Sequence, residues 1–193
     1  MNFKAYDILA SLIPGFLILL AGMQFFEIPF NKDMALPYTA EAFLLGYIIN
    51  ALSSWLESFY YWTWKGKPST KLLRGVGTWK IKFYTAEKVR TLLLEECSTE
   101  NPDMDELFSC ALRKISGEKE GKVEDLNSGY AFSRSLLTTG VIGIPFVLYQ
   151  HASDIRFFLI LLPLLFVLWL RAKQRAYFYA REVLNSYLKL KQL

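Results

Sequence analysis

One stretch constrains this chain above all others: Glu41 to Lys67, EAFLLGYIINALSSWLESFYYWTWKGK. It is long enough to cross a bilayer, because roughly 20 apolar residues rising 1.5 Å each span a hydrocarbon core of about 30 Å. It is not uniformly apolar. Gly46, Asn50, Ser53, Ser54 and Glu57 recur at helical spacing and fall on one side, while Leu44, Leu45, Ile48, Leu52, Trp55, Leu56 and Phe59 cover much of the rest. Lipid offers such polar groups no partners, so the stripe is expected to face protein or water. Tyr60, Tyr61, Trp62 and Trp64 close the segment as an aromatic belt, with Lys65 and Lys67 directly after it. The pattern predicts a transmembrane helix whose polar side meets other helices.

The rest of the chain fits a membrane protein. Of its 193 residues, 53% are hydrophobic and 16% aromatic, and the charged 21% avoid the apolar runs. A soluble core would interleave the two kinds. Ile8 to Phe26 reads as a first span, retained and not cleaved, because no small-x-small site interrupts it. Pro14–Gly15 permits a kink near its start. Glu27 to Thr39 reads as a short polar turn joining the first two spans. Ser135 to Tyr149 and Ile155 to Leu170 are a third and a fourth apolar run around the turn Gln150–Asp154. Both are slightly short, so a re-entrant or buried hairpin remains an alternative there.

Between Gly66 and Gly129 the composition turns polar, as expected of a water-facing lobe of about 60 residues, near the lower size limit for independent folding. Thr78 to Tyr84 alternates as a short strand or interfacial segment would, with Trp79, Ile81 and Phe83 inward. Thr85 is placed to cap a helix through Glu96, and Asp103 or Asp105 a second one through Lys114. Ser116 to Lys122 reads as a charged loop. Arg171 to Lys191 reads as a basic helix continuing from the fourth span along an anionic leaflet. The expected fold is therefore an all-α membrane protein with four transmembrane helices in two hairpins and a small, mainly helical cytoplasmic lobe. Residues 1–64 form the first hairpin, 65–129 the lobe, 130–172 the second hairpin and 173–193 the basic C-terminal helix.

Charge placement sets the orientation. Lys4, the basic block after Trp64, and Arg171 to Arg181 fall on one side of four spans, and the other side holds Lys32 and Arg156. The excess of Lys and Arg predicts a bacterial inner-membrane protein with both termini and the lobe in the cytoplasm.

Candidate sites follow from this layout. Asn50, Ser53, Ser54 and Glu57 either line an ion, water or ligand path or bond neighbouring helices. Arg134, at the edge of the third span, is expected to pair with Glu57 or Asp7, or to act as an interface anchor. Lys65, Lys67, Lys71, Arg74, Arg171, Lys173 and Arg175 are candidate contacts for lipid headgroups or a partner. Headgroups explain the interleaved Trp79, Phe83 and Tyr84 better than nucleic acid, so direct nucleic-acid binding is not expected. His151 is the single histidine and sits in an outer turn. Cys97 and Cys110 match no zinc spacing and read as reduced thiols. Trp64 to Ser69 lacks the glycines of a phosphate loop. No catalytic residue, metal site or cofactor is expected, and an enzyme is not.

Four features together resemble small bacterial membrane proteins encoded beside antiphage systems. They are Tyr6-Asp-Ile-Leu-Ala-Ser-Leu-Ile-Pro-Gly15, the helix from Leu45-Gly46 to Glu57, the exit Gly66-Lys-Pro-Ser69, and Arg134 opening the third span. The layout is most similar to the four-span accessory proteins of type VI-B CRISPR loci. An Arg-x4-His motif found in related accessory proteins is not matched, since His151 has no such Arg upstream. The resemblance implies a defence role at the inner membrane, by oligomerising, by perturbing the membrane, or by modulating an RNA-guided nuclease. The resulting expectation is a non-enzymatic homo-oligomer that alters membrane integrity. The alternative is a scaffold that recruits a cytoplasmic protein such as that nuclease.

Overall fold

A computed structural model describes residues 5–78, 81–97, 99, 101–116 and 121–191, with only the backbone for 5–9. Among these residues the chain is all-helical: α1 (Ala5–Phe25), α2 (Ala35–Trp55), α3 (Glu57–Thr63), α4 (Pro68–Leu73), α5 (Ala86–Glu96), α6 (Met104–Ile115), α7 (Gly121–Gln150) and α8 (Ile155–Leu190), with a 3-10 turn at Lys32–Met34. Three segments are long and apolar enough to cross a membrane: Lys32–Trp55, α7 and α8; Ala10–Phe25 is a shorter apolar helix.

The chain divides into two units, Met1–Glu57 with Ala131–Ala172, and Ser58–Tyr130 with Lys173–Leu193. In the first unit α1 and α2 form an antiparallel pair that crosses at two glycines. A Cβ on Gly15 would lie 1.7 Å from the Ala42 carbonyl oxygen, and one on Gly46 would lie 1.8 Å from that of Ser11. Only glycine allows backbones this close, which is how small residues hold membrane helices together. Gly140 faces side chains of α8 and not its backbone, with Leu165 and Leu168 methyls 3.1 Å from its would-be Cβ. The outer surfaces are apolar: Leu159, Ile160, Leu162, Leu164, Phe166, Val167 and Leu170 of α8 are all exposed. That is the surface hydrocarbon would cover.

In the second unit the core is continuous and joins segments distant in the sequence. Leu72, Leu73, Ile81, Val89, Leu93, Leu107 and Ala111 pack with Tyr177, Ala180, Val183, Leu184 and Tyr187 of α8. α6 begins with a capping box, Asp103 accepting from the Asp105 and Glu106 backbones while Glu106 returns to the Asp103 N–H. Gly66, with φ +121°, turns the chain between α3 and α4, a conformation closed to most side chains.

Several expectations change. The helix expected over 41–67 starts earlier and ends at Trp55, because Leu56 interrupts it before α3. Pro37 falls in its first turn, where a missing N–H costs nothing, so much of the expected polar turn 27–39 is helical. The short third and fourth runs sit inside much longer helices, of about 45 and 54 Å at 1.5 Å per residue. Neither is broken, although Pro145 and Pro163 lie within them. No strand occurs among the described residues. Thr78 and Ile81 form one isolated bridge, Ile81 and Phe83 are buried, and Trp79 lies outside the described residues, as does most of the loop 116–122. The C-terminal segment continues α8 from the fourth run without a break, as expected. Its apolar face is occupied by the lobe core.

Candidate functional site: a polar seam between α2 and α7

Burial of Ala42, Gly46, Ile49 and Ser53 marks the face of α2 that packs within the first unit. These residues follow i, i+4, i+7 and i+11, the period of a helix seam. At its end, Arg134 Nη1 lies 2.6 Å from Glu57 Oε1, with the side chains only 12% and 27% exposed. Arg134 Nε also donates to Ser53 Oγ at 3.3 Å. Ser53, wholly buried, donates to the Asn50 carbonyl at 2.8 Å and lies 3.4 Å from Ser135 Oγ. Ser135 donates to Asn50 Oδ1 at 3.3 Å. α7 thus supplies one charge and one hydroxyl, and α2 with the first residue of α3 supplies the complement. Two half-buried charges are tolerable in such a place because they face each other.

The polar stripe of the sequence is therefore split. Ser53 and Glu57 belong to the seam, whereas Asn50 and Ser54 are exposed residues at its border. The side chain of Asp7, the other carboxylate considered for Arg134, lies outside the described residues. Ser135 is the partner that sequence alone missed, and Arg134 next to it was the available signal. Thr139, one helical turn further along α7, is 6% exposed, and its hydroxyl has no partner among the described residues. At the opposite end of this unit, His151 stacks on Phe157 at 3.9 Å and its Nε2 lies 3.0 Å from Gln24 Nε2.

The expected headgroup cations fare differently. Lys67 is paired with Asp105, which also accepts from Thr70 at 3.0 Å, so this lysine ties α4 to α6. Lys71 Nζ caps the end of α3 through the Trp64 carbonyl at 2.9 Å. Burial pushes the Lys173 ammonium below its ordinary value, and Lys71 and Lys65 push it further, so these three cations share one neighbourhood. Lys65, Arg74 and Arg171 are exposed, and Arg175 is half-buried. The aromatic belt also divides: Tyr60 and Trp64 are buried, while Phe59 and Trp62 are exposed and stack 5.7 Å apart.

Glu96 was not singled out by sequence, yet it gathers Lys191 and, at 3.7 Å, Lys114. Lys191 above all holds its carboxyl below the usual range. Cys97 and Cys110 are free thiols; burial first, then a hydrogen bond with Cys97, raises Cys110. Among the described residues, no three His, Cys, Asp or Glu side chains converge as a metal site would require.

Comparison with protein-family models, curated proteins and solved structures returns no match for this chain.

Proposed function

We propose that this protein is a non-enzymatic membrane scaffold whose helical lobe recruits or regulates a cytoplasmic protein. The observation that carries the reading is the seam itself. Glu57, Arg134, Ser53 and Ser135 satisfy one another inside one protomer, and a conducting path would need such groups turned toward water. In this reading α1 is a fourth span, the spans form two hairpins, and the protein sits in a bacterial inner membrane as a homo-oligomer. Both termini and the lobe are cytoplasmic. The basic residues Lys65, Lys71, Arg74, Arg171, Lys173 and Arg175 near the span ends support that orientation. The resemblance to type VI-B CRISPR accessory proteins makes an RNA-guided nuclease the partner of the lobe.

A second reading is an antiphage effector whose oligomer alters membrane permeability. Asn50 and Ser54 favour it, because both are exposed on a helix able to span the membrane. Dye release from liposomes holding the purified full-length protein separates the two. The scaffold retains dye as the natural chain and as Asn50→Leu or Glu57→Gln. Leakage by the natural chain that either variant abolishes overturns the scaffold and establishes the pore.

A further inference from the structure

Helix α2 presents three distinct faces. Ala42, Gly46, Ile49 and Ser53 are buried in the seam. Leu44, Ile48 and Trp55, on the far side, are exposed and apolar apart from the indole N–H of Trp55 near the helix end. Between them runs a stripe at i, i+4, i+7 and i+11: Phe43, Tyr47, Asn50 and Ser54, all exposed. Asn50 Oδ1 takes one hydrogen bond from Ser135, and among the described residues its carboxamide N–H2 meets no acceptor. The Ser54 hydroxyl has no partner there either. Hydrocarbon supplies none, and a polar amide left open in a span is costly.

We infer that this stripe is where a second copy of the chain packs, with Asn50 facing Asn50 across a two-fold axis. The chemistry of the group selects the occupant. After Ser135 is served, each carboxamide retains one acceptor lone pair and a donor N–H2, so two such groups satisfy each other reciprocally. A two-fold interface brings like residue to like residue, which is what this pairing demands. Asn side chains bond across membrane helices in the same way. Tyr47 and Phe43 add apolar contact along the same line, and no charge on the stripe opposes its own copy. The inference rests on the homo-oligomer in the reading above and names its surface.

Oxidative cross-linking of the full-length protein in liposomes tests it, with the unmodified chain and its Cys97 and Cys110 as baseline. Tyr47→Cys is expected to give at least fivefold more covalent dimer than Ile48→Cys on the lipid face. Adding Asn50→Leu to the Tyr47→Cys chain should lower that yield at least fivefold, whereas Ser135→Ala, which removes only the bond within the protomer, should leave it unchanged. Equal yields at positions 47 and 48 overturn the inference, as does a yield indifferent to Asn50→Leu. Mass photometry on the unmodified protein distinguishes two kinds of failure. An oligomer without a Tyr47→Cys cross-link removes this surface alone; a monomer removes the oligomer of the proposed function as well.

Discussion

Arg134 and Glu57 stand 77 positions apart in the sequence and face each other at 2.6 Å. The pair joins α7 to the residue where α2 gives way to α3, with Ser53 as a second acceptor for the guanidinium. Removing one member leaves the other charge half-buried and uncompensated. Such losses cost about 3–5 kcal/mol, and the partial exposure of Glu57 places this one near the lower figure. Arg134→Gln is therefore expected to lower the thermal transition in detergent clearly, and Glu57→Gln to do so less. Exchanging the two, Arg134→Glu with Glu57→Arg, should recover part of the loss. A double-mutant cycle with no coupling would mean that the two charges do not interact.

The Gly15–Gly46 crossing has no tolerance for a side chain, since backbone atoms and not flexible ends occupy the space. Gly46→Ala should cost at least the roughly 1–3 kcal/mol of ordinary overpacking, because no rotamer change relieves it. Gly22 in α1 has nothing within 4 Å of its would-be Cβ. Gly22→Ala is expected to be neutral or to stabilise by about 0.5–1 kcal/mol through the helix backbone. Protease resistance of the two variants in lipid, compared directly, checks the contrast.

Glu96 makes the lobe sensitive to acid. Its carboxyl is held below its ordinary value of 4.5, chiefly by a hydrogen bond from Lys191. A carboxylate with a depressed folded pKa contributes stability that is whole above the unfolded value and is lost as pH falls through the folded one. Stability should thus decline below about pH 4.5 in the natural chain, and less steeply in Glu96→Gln. Denaturant unfolding at pH 7 and at pH 3.5 measures the difference. Parallel slopes for the two chains would rule out Glu96 as the source.

Leu184 is fully buried in the lobe core, and Lys189 near it is exposed. Leu184→Ala is expected to destabilise the lobe by about 2–5 kcal/mol, the cost of a core cavity. Lys189→Gln should leave both stability and liposome association unchanged. The opposite pattern, with association lost on removing the charge and stability indifferent to Leu184, would establish a surface-lying C-terminal helix.

Much of the membrane organisation was legible from composition and period. The apolar runs around α1, α2, α7 and α8 and the Asp103 cap of α6 depend on neighbours within a few positions, whereas Thr85 stands at the start of α5 without a side-chain cap bond. Local chemistry decides such features. Arg134 and Glu57 also stood out, because an ionisable residue at a span edge needs a partner.

The partner's identity and the use of each helix face are of another kind. Asn50, Ser53 and Ser54 look alike in sequence, but rotation about α2 buries Ser53 against Ser135 and leaves the other two exposed. The segment after Arg171 is basic and amphipathic, a pattern shared by helices that lie on membranes and helices that fill a core. Which surface covers an apolar face depends on residues distant in the chain: Leu72, Val89, Leu107 and Ala111 claim the face of Tyr177, Val183 and Leu184. Sequence determined which segments are apolar and which ends are charged; tertiary packing alone decided what each face meets, because burial is a property of pairs of elements and not of one.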